Sequence, residues 1–237
     1  MSAPRFSKGF LPFFTMKLLH QETGVSLVEG MGMAAILAVG AAIAIPQVYD
    51  VIKDSQAEGL AATVRTYELA IQKYYADMGT ILPLDAQGNP QPESSGESAV
   101  PQSLSARLTL IATDPHAGQA NLWTNFRGPY LEKFRSRRPP IIGDHMALPI
   151  VQAVPLETNV TATNNGWDLK GDDGQSDLPS GAMVVVFQLT GVSRDQFFRF
   201  DHVMEPDIGA TDDERAIRGR AKYDAARSTL RLYLAHQ

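Results

Sequence analysis

Residues 25–45 read VSLVEGMGMAAILAVGAAIAI, an apolar run of 21 residues with a single ionisable side chain, Glu29. At about 1.5 Å per residue a helix of this length spans roughly 30 Å, the thickness of a bilayer core. Its flanks are unequal: Arg5, Lys8 and Lys17 with one acid, Glu22, precede it, whereas Asp50, Lys53, Asp54 and Glu58 come after it. Basic residues stay on the cytoplasmic side of a spanning helix, which predicts a cytoplasmic N-terminus and an exported remainder. A removable signal peptide is the competing reading, with Ala42-Ile43-Ala44 imitating the small-residue pattern ahead of a cleavage site. Glu29 argues against it, because a carboxylate inside a lipid-embedded helix costs about 2.5–3.5 kcal/mol and a plain anchor has no use for one.

Outward from the run, Thr23-Gly24-Val25-Ser26-Leu27-Val28-Glu29 joins it to a polar leader, and Ala44-Ile45-Pro46 closes it. A glycine ends the leader, the glutamate is the fifth residue beyond it, and the proline is the twenty-second. With these parts at this spacing the segment resembles the N-terminal signature of type IV prepilins and type II secretion pseudopilins. The resemblance implies that a prepilin peptidase cuts the bond between Gly24 and Val25 on the cytoplasmic face and methylates the new amine. It also implies a role for Glu29, which in that family neutralises the terminal ammonium, largely that of the adjacent subunit, and so sets the assembly register. A helix N-terminus favours an anion nearby, consistent with such a pairing. Val25 departs from the usual phenylalanine at the first mature position. Two starts are compatible with the leader, Met1 or Met16, the second giving the compact MKLLHQETG.

Past Pro46 the helical pattern resumes. Val48, Val51, Ile52, Leu60, Val64, Tyr67, Ile71, Tyr74, Tyr75 and Met78 recur at intervals that predict one buried stripe, and Gly79 is a natural stop. Proline inside a helix removes a backbone bond, so a kink is expected near Pro46 in one long helix over 25–78. Residues 83–102, PLDAQGNPQPESSGESAVPQ, read as a surface loop, and 103–112 as a short amphipathic helix through Leu104, Leu108 and Ile111. Gly128-Pro129-Tyr130-Leu131 is similar to a tetrapeptide of major pseudopilins and reads equally well as a turn packed by aromatics. Strands are predicted at 148–154, 159–163, 183–189 and 229–235, rich in β-branched or aromatic residues. Ser193-Arg194-Asp195-Gln196 is a capping-box pattern with Val192 and Phe197 as a staple, opening a helix through Phe200 and Val203. The expected fold is α+β: the pilin layout of a long kinked helix on a C-terminal antiparallel sheet of about four strands. The expected organisation is a leader (1–24), a transmembrane and assembly helix (25–45), its continuation on the domain (46–78), a variable-loop region with short helices (79–147) and a sheet region (148–237).

The chain has 237 residues, a formal net charge of −5 and no cysteine. The charge gives no basic field for nucleic acid, and the lack of cysteine excludes disulfides, thiolate metal sites and thiol nucleophiles together. An acidic turn, Asp168 to Asp177, supplies Asp168, Asp172, Asp173 and Asp177 with two glycines. Hard oxygen ligands of this kind suit calcium, though the spacing is not that of an EF-hand; a solvated acidic turn is the alternative. Major pseudopilins hold a calcium in a C-terminal loop, which the resemblance makes relevant. Asp207, Asp212, Asp213 and Glu214 read as an acidic surface loop. The histidines, His20, His116, His145, His202 and His236, are scattered, and no nucleophile elbow, Walker loop or dinucleotide fingerprint is present. The expectation is a structural pilin subunit of a minor or variant kind, not an enzyme. Its expected partners are other pilin subunits, the prepilin peptidase, an inner-membrane assembly platform and lipid. The expected place is the bacterial inner membrane, then a periplasmic or cell-surface filament. A type II secretion pseudopilin is the alternative within the class, and a membrane-anchored adhesin or binding domain is the alternative outside it.

Overall fold

The computed structural model describes residues 26–82, 90, 104, 108, 125–131, 149–209 and 211–237. Its layout is α+β: a long N-terminal helix and a four-stranded antiparallel sheet. The chain divides into two units, one ending at Pro46 and the other beginning at Gln47.

Helix α1, Leu27–Met78, runs for 52 residues with Pro46 inside it. In the first unit every described residue is solvent-exposed, including Leu27, Ile36 and Leu37. Such a surface is unstable in water, since each exposed Leu or Ile forgoes roughly 1.5–3 kcal/mol of burial. Among the described residues α1 is the one helix long and apolar enough to cross a membrane.

In the second unit α1 buries Ala57, Leu60, Ala61, Val64, Tyr67, Ala70, Ile71 and Tyr74. The buried stripe therefore starts later than its sequence pattern. Val48, Val51 and Ile52 are exposed, as is Tyr75, one residue and about 100° around the helix from the fully buried Tyr74. Gly79, at φ 72°, ends the helix in the left-handed region that a side chain would strain. The exit is then fixed from the far end of the chain: Gln237 Oε1 accepts from Thr80 Oγ1 at 3.0 Å and from the Ile81 amide at 2.9 Å.

The sheet comprises β1 (Ile150–Pro155), β2 (Met183–Thr190), β3 (Ala221–Asp224) and β4 (Thr229–His236), in spatial order β1-β2-β4-β3. Of its two inner strands, β2, MVVVFQLT, buries both faces in part. One face meets the α1 stripe, with Tyr67 edge-on to Phe187 at 5.4 Å; the other meets Trp167 and Leu178 through Val184 and Val186. The strands expected at 148–154, 183–189 and 229–235 are β1, β2 and β4. The one expected at 159–163 is not a strand. Asn159 makes a single bridge to Gln175, and the segment then turns around the Asn164 side chain, whose Oδ1 takes the Thr161 and Gly166 amides at 3.1 and 3.2 Å. Local side-chain bonds of this type outcompete a ladder. The fourth strand is instead β3, AKYD, buried at all four positions.

Helix α2, Arg194–Met204, opens on the expected capping box, with Ser193 and Gln196 bonded reciprocally, and buries Phe197 and Phe200. A one-turn helix α3, Asp212–Arg215, comes next with its own capping box from Thr211 to Glu214. Arg199 on α2 reaches α1, at 2.8 Å from Asp50 and 2.6 Å from Asp54, beside the Lys53–Asp195 pair at 2.9 Å. Of the expected helix at 103–112, only Leu104 and Leu108 are among the described residues; both are helical and fully buried. The Leu108 carbonyl accepts the amides of Tyr130 and Leu131, and the Tyr130 hydroxyl donates to Asp77 at 2.9 Å, so the Gly128-Pro129-Tyr130-Leu131 turn is seated on α1. The loop expected at 83–102 lies outside the described residues apart from Pro90.

Candidate functional site

Gly24 and Val25 lie outside the described residues. Immediately beyond them Ser26 caps α1, its Oγ accepting the Glu29 amide at 3.2 Å, and Ser26-x-x-Glu29 has the spacing of a capping box. Glu29 thus occupies the first turn, where the helix dipole favours a carboxylate by about 0.3–1 kcal/mol. That falls short of the roughly 2.5–3.5 kcal/mol a charge costs at the centre of an apolar span, the upper bound for one in the first turn. No basic residue lies between Leu27 and Pro46 to supply the rest. Capping therefore accounts for the position of Glu29 without supplying a counter-charge. This cap is readable in the sequence, at the same spacing as Ser193 and Gln196.

The acidic turn is built around one residue. Asp168 is fully buried, and its Oδ1 accepts the amides of Gly171 at 2.7 Å and Asp172 at 3.2 Å, while Oδ2 accepts that of Gly174 at 2.9 Å. Arg218 Nε stands 3.9 Å from Oδ2, and its Nη1 donates to the Gly171 carbonyl at 2.9 Å. Carboxylate oxygens of Asp168, Asp172 and Asp173 lie within 4.8 Å of one another. Asp177 does not join them. It pairs with Lys170, taking Nζ at 2.6 Å and the backbone amide at 2.9 Å, and those bonds hold its carboxyl below the usual range. Calcium needs six to eight oxygens. Here the buried carboxylate is already surrounded by three N–H donors and a guanidinium, which leaves two exposed aspartates, so the donor set fits a self-stapled loop better than a calcium ion.

Sequence reasoning missed a second constellation. Lys222, on β3, is fully buried beneath the 161–167 segment. Its Nζ lies 2.9 Å from the Thr161 carbonyl, 3.2 Å from the Asn164 carbonyl and 3.1 Å from Asn164 Oδ1, and 4.4 Å from the centre of the Trp167 ring. Burial pushes its amine down to about 7, with the nearby Arg231 charge adding to the effect. Arg231 itself holds the Thr163 carbonyl and Asn165 Oδ1. An open groove of about 600 Å³ borders the loop, lined by Glu157, Asn159, Thr161, Thr163 and Asn164 among others. Nothing local in AKYD signals this, because every partner lies about sixty residues away.

A third buried group tunes stability. Asp201 is 2% exposed; burial pushes its carboxyl up to about 7, against the bond from Arg215 at 2.9 Å and with the Glu205 charge adding to the rise. Glu205 receives the amides of Arg220 and Ala221, and Gly219 is required beside it, since a Cβ there would come within 2.7 Å of the carboxylate. An acid whose pKa is higher when folded binds its proton more tightly in the folded state. Its contribution is therefore fully present below the unfolded value of 3.8 and is lost as pH rises towards about 7. Asp201→Asn is expected to flatten that decline, read as urea midpoints measured at steps across the interval; an unchanged slope would refute the assignment.

Taken together, the described residues offer a charged helix start on an exposed apolar helix, a self-stapled acidic loop and a buried amine under an asparagine. No protein-family model, characterised protein or solved structure matches the chain.

Proposed function

We propose that the chain is a structural subunit of a type IV pilus-like filament, a pilin of minor or variant kind, processed after Gly24 and assembled through its N-terminal helix. The observation that carries this reading is the exposed apolar segment of α1 with Glu29 in its first turn and no basic residue alongside it. Processing at Gly24 would place an ammonium on Val25, next to the dipole end of that helix, and a neighbouring subunit's amine would complete the neutralisation. Gly30, Gly32 and Gly40 leave open space at their Cα positions, which suits close approach of helices. The α+β layout, with a helix stripe against an antiparallel sheet, supports a pilin fold for the second unit. On this reading the protein spans the inner membrane once before assembly, with the prepilin peptidase and an inner-membrane platform as partners, and has no turnover of its own.

The test is the mass of the mature N-terminal peptide from the native source. A chain beginning at methylated Val25 supports the proposal. An uncut leader, or a terminus just past Ala44, would remove it.

A further inference from the structure

We propose that Lys222 and Asn164 are the two halves of an intramolecular isopeptide crosslink, formed when the lysine amine attacks the side-chain amide of the asparagine and ammonia leaves. The geometry has the parts such a reaction needs. Lys222 Nζ donates to Asn164 Oδ1 at 3.1 Å, which places the amine beside the side-chain amide it would attack. Asn164 Oδ1 already accepts the amides of Thr161 at 3.1 Å and Gly166 at 3.2 Å, so negative charge developing on that oxygen meets two fixed N–H donors, an oxyanion hole in place before reaction. The Asn164 amide nitrogen donates to the Asn159 carbonyl, which fixes which end of the amide is oxygen. The indole of Trp167, itself fully buried, covers the amine at 4.4 Å from the ring centre and shields it from water.

The nucleophile must be a neutral amine. Burial pushes Lys222 down to about 7, so an appreciable fraction is uncharged near neutrality. A neutral amine has two N–H groups, so of its three bonds the one to Asn164 Oδ1 is given up on deprotonation while the carbonyls of Thr161 and Asn164 keep theirs, which frees a lone pair on the side facing the Asn164 side chain. In the reaction the Nζ–Cγ bond forms and the Cγ–Nδ2 bond breaks. One proton passes from Nζ to the departing nitrogen, which leaves as ammonia, and nothing is oxidised or reduced. Glu157 lines the same groove as Asn164, and its charge acts on Lys222. The groove is open, which lets ammonia escape. A chain without cysteine would gain by this route a covalent tie between β3 and the 159–166 turn.

The proposal is independent of the filament reading, and its test reads C-terminal peptides that N-terminal processing cannot alter. The full chain is extracted in detergent, digested with trypsin and mapped by mass. An acylated Lys222 resists trypsin, so the crosslink yields one branched peptide joining residues 221–227 to the peptide ending at Lys170, lighter by about 17 Da than the two together, the mass of one ammonia. Lys222→Arg, which keeps a cation over Trp167, and Asn164→Ala are both expected to give only linear peptides. Cleavage after Lys222 in the native chain with Asn164 recovered intact would overturn the proposal and leave a lysine that merely holds the turn. Recovery of aspartate at 164 would overturn it too, marking hydrolysis instead. The native map decides the question even where a variant does not fold.

Discussion

Glu29→Ala is expected to insert in the membrane at least as well as the native chain, to be cut at Gly24 as before, and to be almost absent from filaments. Removing a carboxylate from the apolar run relieves at most about 2.5–3.5 kcal/mol of insertion cost, the figure for the centre of a span, while the capping contribution it gives up is only about 0.3–1 kcal/mol. A residue serving the anchor alone would therefore be improved by the change. A residue serving as a counter-charge for another subunit's amine would lose an attraction made only in the assembled state. The measurement is an immunoblot of sheared filaments against total membrane, with Glu29→Asp as the variant that keeps the charge. Native incorporation of Glu29→Ala would leave α1 as a plain anchor and favour a membrane-tethered binding domain.

Asp168→Ala is expected to lower the stability of the second unit by about 3 kcal/mol, since it strands three loop amides of which each costs roughly 1–3 kcal/mol if left unmet. The lower end of the summed range applies because the loop's outer side admits water. Arg218 would also lose one of its two carboxylate neighbours, keeping Glu214 at 3.5 Å. Urea denaturation monitored by Trp fluorescence checks it, Trp167 being the adjacent residue. Added calcium should change neither protein. A loss smaller than about 1 kcal/mol would show that the loop holds without its hub, whereas a calcium-dependent gain in the native protein would mean that a cation, not the amides, organises the turn.

Much of this layout is legible in the sequence because the deciding signals are local. The α1 stripe from Leu60 to Tyr74 comes from spacing, β2 from the run Met183-Val184-Val185-Val186-Phe187, and α2 from Ser193 and Gln196, each readable within a dozen residues. Periodicity carries the stripe too far, to Val48, Val51 and Ile52, because an apolar repeat does not say where a core ends. Residues 159–163 look like a strand, with Val160, Thr161 and Thr163, until Asn164 is allowed to bond back on them. The converse error hides β3. Lysine and aspartate are poor strand formers by composition, and Lys222 is tolerated there only because carbonyls 58 and 61 residues away receive its protons. The acidic turn is legible as a cluster, but not the division of labour by which Asp168 staples the loop and Asp177 holds Lys170.

The grip of Arg199 on Asp50 and Asp54 also has a mechanical meaning. Exposed ion pairs of this kind contribute little to equilibrium stability, typically about 0–1 kcal/mol. Under tension along α1, however, both bonds tie α1 to α2, while the buried residues from Ala57 to Tyr74 tie it to the core. They are then loaded side by side and not one after another, so a pull on the helix would have to break them in concert. In the filament proposed above, a subunit loaded through this helix would gain more from such a shear joint than from any single strong contact.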